Sequence, residues 1–347
     1  MSAPEIRIDQ LTGLRSVLAP GRAERPDAFV RAAAPPRADS ECPFCDGHES
    51  ETPPEVWAER PGDGGADTPG WTARAVPNLY PVLSGAGAAA DVNARGESGL
   101  ASADDPLGRT SRGAPADPFA STPASGAHEV IVNAPEHATT LAGLSPERFA
   151  GAVDAWRQRI RAHAAESAYC HLIVNEGSEA GASLVHTHAQ LYALEFVPVT
   201  VARERERFTA YNERTAGGHL LEDVGAEEVR RGDRLVAVDD DALLVCPWAS
   251  RSPFELRVIP RRPARSFEDD DSGTEMIRTA ITALGELLEA PPLNLWVRTA
   301  PSDASEFHWH VDILPRLTIR AGFELGTGVE VNTYPPERAA EDLRGVI

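Results

Sequence analysis

No lysine occurs among the 347 residues, so every fixed side-chain cation is an arginine guanidinium, a planar fork suited to bidentate phosphate contacts. A composition bias accounts for the absence equally well. Basic residues are also scarce beside acidic ones, 33 against 53, for a formal charge of -20. This balance excludes the broad basic surface that tracks nucleic-acid backbones and leaves room only for local arginine pockets. Four cysteines are present, and only Cys42 and Cys45 are close in sequence. A disulfide framework is therefore excluded for a chain this long, and a reducing compartment is expected. No apolar run reaches the length of a membrane span, and Met1-Ser2-Ala3-Pro4-Glu5 lacks a basic segment leading into an apolar core. The expectation is a cytoplasmic protein that meets neither membrane nor nucleic acid.

What is there reads as an α+β chain of two units, 1–195 and 196–347, each long enough for its own core. Leu14 to Leu18 is a short strand, and Trp71 to Val76 another, closed by Pro77-Asn78-Leu79-Tyr80-Pro81. Residues 84–126 are rich in Gly, Ala, Ser, Asp and Pro without apolar period, which predicts a mobile insertion. His128 to Asn133 predicts a strand. Ser145-Pro146-Glu147 then starts a helix with an N-cap serine and proline at the first helical position, and Phe149, Val153, Trp156 and Ile160 mark one face. Tyr169 to Asn175 is the next strand. The second half repeats the plan with a hairpin over Leu235 to Cys246, a strand from Phe254 to Ile259, and a helix carrying Met276, Ile277, Ala280, Ile281, Leu284 and Leu288. A strand from Leu293 to Val297 and Phe307-His308-Trp309-His310 follow. Strand, proline, helix, strand, loop and His-x-His recur in order, which predicts a duplicated unit with an antiparallel sheet and packed helices in each half.

The chemistry concentrates in Gly181-Ala182-Ser183-Leu184-Val185-His186-Thr187-His188-Ala189-Gln190. If Val185 to Leu191 is extended, His186, His188 and Gln190 share one face while Thr187 and Ala189 point away. One histidine on a strand is more often a satisfied core residue, and a lone Gln190 more often a surface polar. Three polar residues in alternation are harder to explain that way. Cys42-Pro43-Phe44-Cys45 is a knuckle that aims two sulfurs at one point, half of a zinc site. His186 is the natural third ligand, and His137, just past the strand ending at Asn133, is better placed as the fourth than His48 or His128. His188 is then available as a nucleophile toward phosphorus, with Gln190, Ser183 and Asn175 as polar partners for the developing charge.

His186-Thr187-His188-Ala189-Gln190 resembles the His-x-His-x-Gln signature of the galactose-1-phosphate uridylyltransferase branch of the histidine-triad superfamily. Other motifs in order extend the resemblance: Arg22 and Arg25 to an early arginine pair, Cys42 and Cys45 to a zinc knuckle, and Asn78 to a nucleotide-sugar contact. Pro135-Glu136-His137 resembles the next zinc position, and the run around Gly322, Phe323 and Glu324 a segment that binds sugar phosphate. The resemblance implies two displacements at phosphorus, in which His188 takes UMP from a UDP-hexose and passes it to a hexose 1-phosphate, within a homodimer carrying zinc. The late segment also resembles relatives that act as ADP-sugar phosphorylases, which implies phosphorolysis as an alternative. A zinc-stabilised nucleotide-binding protein without turnover is the alternative of another class. The family commonly has proline where Thr187 stands, a change expected to be tolerated. It also includes members with a second metal on one glutamate and three histidines; Glu204, His308 and His310 match, but Arg298 takes the remaining place, so no second metal is expected.

Overall fold

The computed structural model describes residues 5–18, 42–83 and 124–347. Arg22, Arg25 and nearly all of the segment expected as an insertion lie outside the described residues. Gly126, placed at the end of that segment by composition, instead opens a strand.

The helix predicted after Ser145 is α1, Pro146–Ala164; the Ser145 side chain accepts from the Arg148 N–H, and Pro146 takes the first turn as expected. Phe149, Val153, Trp156 and Ile160 recur every three to four residues and are all fully buried. They press on strands β4 (Ala73–Pro77), β5 (Gly126–Val132), β6 (Tyr169–Glu176) and β7 (His188–Leu194). In the second half α4, Thr274–Leu288, buries Ile277, Ile281 and Leu284 against β9 (Ala242–Val245), β10 (Leu256–Pro260), β11 (Leu293–Arg298) and β12 (His310–Pro315). Each of those three side chains contributes roughly 1.5–3 kcal/mol by leaving water.

With β3 (Trp57–Glu59) and β8 (Leu235–Val238) at the edges, the ten strands form one sheet in the order β3-β4-β5-β7-β6-β11-β12-β10-β9-β8. Every pairing in it is antiparallel. Read inward from each edge, β4-β5-β7-β6 and β9-β10-β12-β11 follow the same order, so the duplication is present in the topology. The two copies meet where β6 pairs with β11, Asn175 facing Asn294.

A second, three-stranded sheet joins β1 (Glu5–Ile8) and β2 (Arg15–Leu18) to β13 (Glu330–Asn332). Arg7 stacks on Trp248 at 3.8 Å and pairs with Glu337 at 2.8 Å, while Asp9 faces Arg257 at 3.6 Å. Residues 5–18 are thus tied to the second half. Helices α2 (Val199–Thr215) and α3 (Leu220–Arg231) cover β9 and β10 on the side away from α4, with Phe208, Leu220 and Leu221 against Leu243, Val245 and Ile259. Among the described residues no helix is long and apolar enough to cross a membrane.

One backbone position between β6 and β7 permits only glycine. Gly177 has φ +82°, and a Cβ there would lie 2.8 Å from Pro292 Cβ. Gly177→Ala should lose about 1–3 kcal/mol of stability through this strain. A urea melt reads it as a lower midpoint at unchanged slope, and an unchanged midpoint would contradict the close packing of this loop on Pro292.

Candidate active site

Cys42 Sγ, Cys45 Sγ, His137 and His186 converge from three separate segments, with one ligand atom of each within 4.8 Å of all the others. Cys42 Sγ lies 3.5 Å and Cys45 Sγ 3.7 Å from His186 Nδ1, and Cys45 Sγ lies 3.3 Å from His137 Nδ1. These spacings suit the edges of a tetrahedron around a zinc ion, and two sulfurs with two imidazoles are a donor set zinc favours. His186 Nε2 sits 2.9 Å from the Ala134 carbonyl, to which it donates, leaving the Nδ1 lone pair aimed at the sulfurs. Burial, only partly offset by that bond, pushes the His186 pKa down to about 4, so the ring is neutral as a metal ligand must be. None of the four cysteines is in a disulfide.

The knuckle has its own support. Glu49 accepts from the Trp71 indole at 2.7 Å and from the Gly47 N–H at 3.0 Å. Arg74, fully buried, pairs with Glu55 at 2.9 Å and Asp67 at 2.7 Å. Partial burial works to raise the Glu55 pKa, but Arg60 and Arg74 hold it down at about 2. Bound zinc would fix this assembly to the loop ahead of β7.

That loop departs from expectation in one respect. The strand starts at His188 rather than at Val185, so His186 is not on the strand face with His188 and Gln190. The Thr187 N–H instead donates to the Ala138 carbonyl at 2.7 Å, turning the chain so that His186 meets the knuckle. From His188 onward the predicted alternation holds. Ala189, Leu191 and Ala193 enter the core, while His188, Gln190 and Tyr192 line the opposite face.

His188 is nearly enclosed, and its Nδ1 donates to the His186 carbonyl at 2.8 Å. The bond selects the tautomer with the lone pair on Nε2. Burial, opposed by that bond, lowers the His188 pKa, so the ring is neutral near pH 7. Phe44 of the knuckle packs edge-on against this ring, centroids 5.3 Å apart, which couples the metal site to the nucleophile candidate.

Gln190 meets His128 diagonally across the β5–β7 pair, where His128 pairs with Tyr192, the residue two along on the strand of Gln190. The Tyr192 hydroxyl donates to Gln190 Oε1 at 3.0 Å. The Val82 N–H donates to His128 Nδ1 at 3.3 Å, which leaves the proton on Nε2 to donate to the same Gln190 oxygen at 3.0 Å. Asn78 Nδ2, 3.1 Å from that Nε2, is then in contact without a hydrogen bond. With its oxygen engaged twice, Gln190 turns its N–H groups away, and among the described residues they have no partner. Asn175 shares this face; Asn294 Nδ2 donates to its Oδ1 at 2.8 Å and to the Ala180 carbonyl at 2.7 Å.

The comparisons with known proteins bear directly on these residues. Residues 100–198, which contain His137, His186, His188 and Gln190, match the family described as "Galactose-1-phosphate uridyl transferase, N-terminal domain". The chain is 30% identical to ADP-glucose phosphorylase of Arabidopsis thaliana over 99% of its own length and 93% of that protein. It is 27% identical to galactose-1-phosphate uridylyltransferase of Neurospora crassa over 64% of this chain and 69% of that one. The chain belongs to the galactose-1-phosphate uridylyltransferase family. A crystal structure of the Arabidopsis ADP-glucose phosphorylase with bound ADP-glucose superposes with a TM-score of 0.76 at 26% identity, covering 99% of this chain and 100% of that one. As a family member the chain is an enzyme of the nucleotidyl-transferring kind.

Other predicted site residues of this family member fall apart from the cluster. Ser183 is exposed in the loop before β7. Gly322, Phe323 and Glu324 lie on α5, Gly322–Thr327, which has no buried residue, and the Glu324 carboxylate accepts from the Ala321 N–H at 3.0 Å to cap its own helix. No hydrogen bond or ion pair among the described residues joins α5 to β7. His128, Tyr192 and Asn294 were not predicted for the site. Only strand pairing reveals them: His128 and Tyr192 fall on the histidine face once the β5–β7 register is drawn, and Asn294 faces Asn175 once β6 is paired with β11.

The second His-x-His copies the first in its hydrogen bonds. His308 Nε2 donates to the Pro260 carbonyl at 3.1 Å, as His186 does to Ala134, and His310 Nδ1 donates to the His308 carbonyl at 3.1 Å. No knuckle faces it. Arg298 lies opposite His310 on β11, its Nε 3.4 Å from Glu204, so a guanidinium fills the place beside the carboxylate. Burial drives the pKa of His310 down to about 3. Among the described residues only the Cys42, Cys45, His137 and His186 group has the geometry to hold a metal ion.

Proposed function

We propose that the chain transfers a nucleoside monophosphate from a nucleoside diphosphate hexose through a covalent adduct on His188. The observation that carries this is the His188 ring, held by its Nδ1–H to the His186 carbonyl with the Nε2 lone pair on the same face as the outward Gln190 amide. In the first displacement His188 Nε2 attacks the α-phosphorus, and the bond from that phosphorus to the bridging oxygen breaks, releasing hexose 1-phosphate. Gln190 donates an amide hydrogen to a nonbridging oxygen, whose charge grows in the transition state. Asn175, braced by Asn294, is a second donor to the same phosphates. In the second displacement an acceptor oxygen attacks the phosphorus and the N–P bond breaks.

Inorganic phosphate as acceptor gives phosphorolysis of ADP-glucose. Similarity to the Arabidopsis ADP-glucose phosphorylase along 99% of this chain supports that form. Hexose 1-phosphate as acceptor gives UDP-hexose exchange, supported by the family match over residues 100–198 and the uridylyltransferase relatives. Incubating the protein with ADP-glucose, UDP-glucose and GDP-glucose in turn, and quenching in alkali, should leave a nucleotidyl adduct by intact mass from one donor. Adding phosphate or galactose 1-phosphate to that adduct then identifies the acceptor that discharges it. Absence of an adduct from every donor would sink the covalent proposal for them and favour a binding protein without turnover.

A further inference from the structure

Thr187 stands between the two histidines on the helix side of the sheet, and its neighbours form a directed chain. The indole N–H of Trp156 can only donate, and does so to Asn133 Oδ1 at 2.9 Å. The Asn133 amide is thereby oriented, and its Nδ2 donates to Thr187 Oγ1 at 3.1 Å. The Thr187 hydroxyl in turn donates to Glu176 Oε1 at 3.1 Å, and the same carboxylate oxygen accepts from the Leu141 N–H at 2.5 Å. All four side chains are buried.

The backbone of Thr187 is held as tightly. Its N–H donates to Ala138, and its carbonyl accepts from the Asn133 N–H at 3.4 Å. The peptide unit between His186 and Thr187 is thus fixed by its N–H, and the carbonyl of that same unit is the acceptor for His188 Nδ1. Anything that lets Thr187 turn swings this carbonyl away from the imidazole. We propose that the Trp156–Asn133–Thr187–Glu176 chain positions His188, by fixing the peptide whose carbonyl sets its tautomer, with Thr187 as the positioning residue. The consequence for rate rests on the nucleotidyl-transfer role of His188; the consequence for the tautomer does not.

The test compares wild type, Thr187→Val and Thr187→Ser in two ways. One is nitrogen NMR of 15N-histidine-labelled protein, and the other is the single-turnover rate of adduct formation. Wild type and Thr187→Ser should show His188 with the proton on Nδ1 alone, whereas Thr187→Val should show mixed tautomers. Thr187→Val should slow adduct formation about tenfold or more at saturating donor, at unchanged half-saturating concentration, with serine restoring the rate to within about twofold. A Thr187→Val protein that keeps one tautomer and the wild-type rate, losing only melting temperature, would overturn the proposal. If wild type forms no adduct, the function proposed above fails and the tautomer comparison alone decides this one. Should Thr187→Val not fold, Trp156→Phe removes the first donor and carries the same two measurements.

Discussion

His188→Gln is expected to form no nucleotidyl adduct and to turn over at least about 10⁴-fold more slowly, since removing a nucleophile abolishes the covalent path outright. The size follows from the site. Gln190 and Asn175 remain able to bind phosphate oxygens, so binding of the nucleotide sugar should persist while chemistry stops. His188 Nδ1 is bonded to a backbone carbonyl and Phe44 lies against the ring, so a glutamine of similar reach keeps the enclosure without an imidazole lone pair. Isothermal titration beside the alkaline-quench mass assay separates the two effects. An adduct of wild-type amount on the variant would move the nucleophile elsewhere and end the role given to His188.

The second large effect is expected at the knuckle. One zinc per chain should be found by elemental analysis, and Cys42→Ser should lose it. The four-ligand set joins residues 42–45 to 137 and 186, and a structural zinc of this kind is worth on the order of 10 kcal/mol in isolated modules. Here α1 and α4 maintain a large core without it, so only part of that appears as global stability. A fall in melting temperature of about 10 °C or more is expected, at roughly 2–4 °C per kcal/mol for a domain of 150–250 residues. Adduct formation should fall as well, because Phe44 and the loop through Thr187 lose their anchor. A protein whose melting curve and adduct yield ignore both the substitution and a chelator would show that the group holds no structural metal.

Much of this site was legible because it sits on short, periodic signals. The Cys42-x-x-Cys45 spacing, the face of α1 and the alternation after His188 each follow from local geometry, and the four-ligand group matches the residues predicted for zinc. The start of β7 was not legible. Extension from Val185 satisfies the apolar pattern as well as extension from His188 does, and only the long-range bond from the Thr187 N–H to Ala138 decides between them. His128 was illegible for the same kind of reason: its contact with Gln190 depends on strand register between residues 62 positions apart. Thr187 illustrates the converse. The sequence predicts correctly that its side chain turns from the histidine face, yet nothing local reveals that Asn133 and Glu176 wait on the other side.

The seam between β6 and β11 gives the duplication a meaning beyond symmetry. Under the function proposed above, one copy of the unit supplies the nucleophile, His188, while the other keeps its own histidines buried and lends an amide, Asn294, to hold Asn175 in the first. After such a division of labour neither copy is redundant. The second copy serves as the brace of the first, because the Asn294 amide fixes the orientation of Asn175 at the seam.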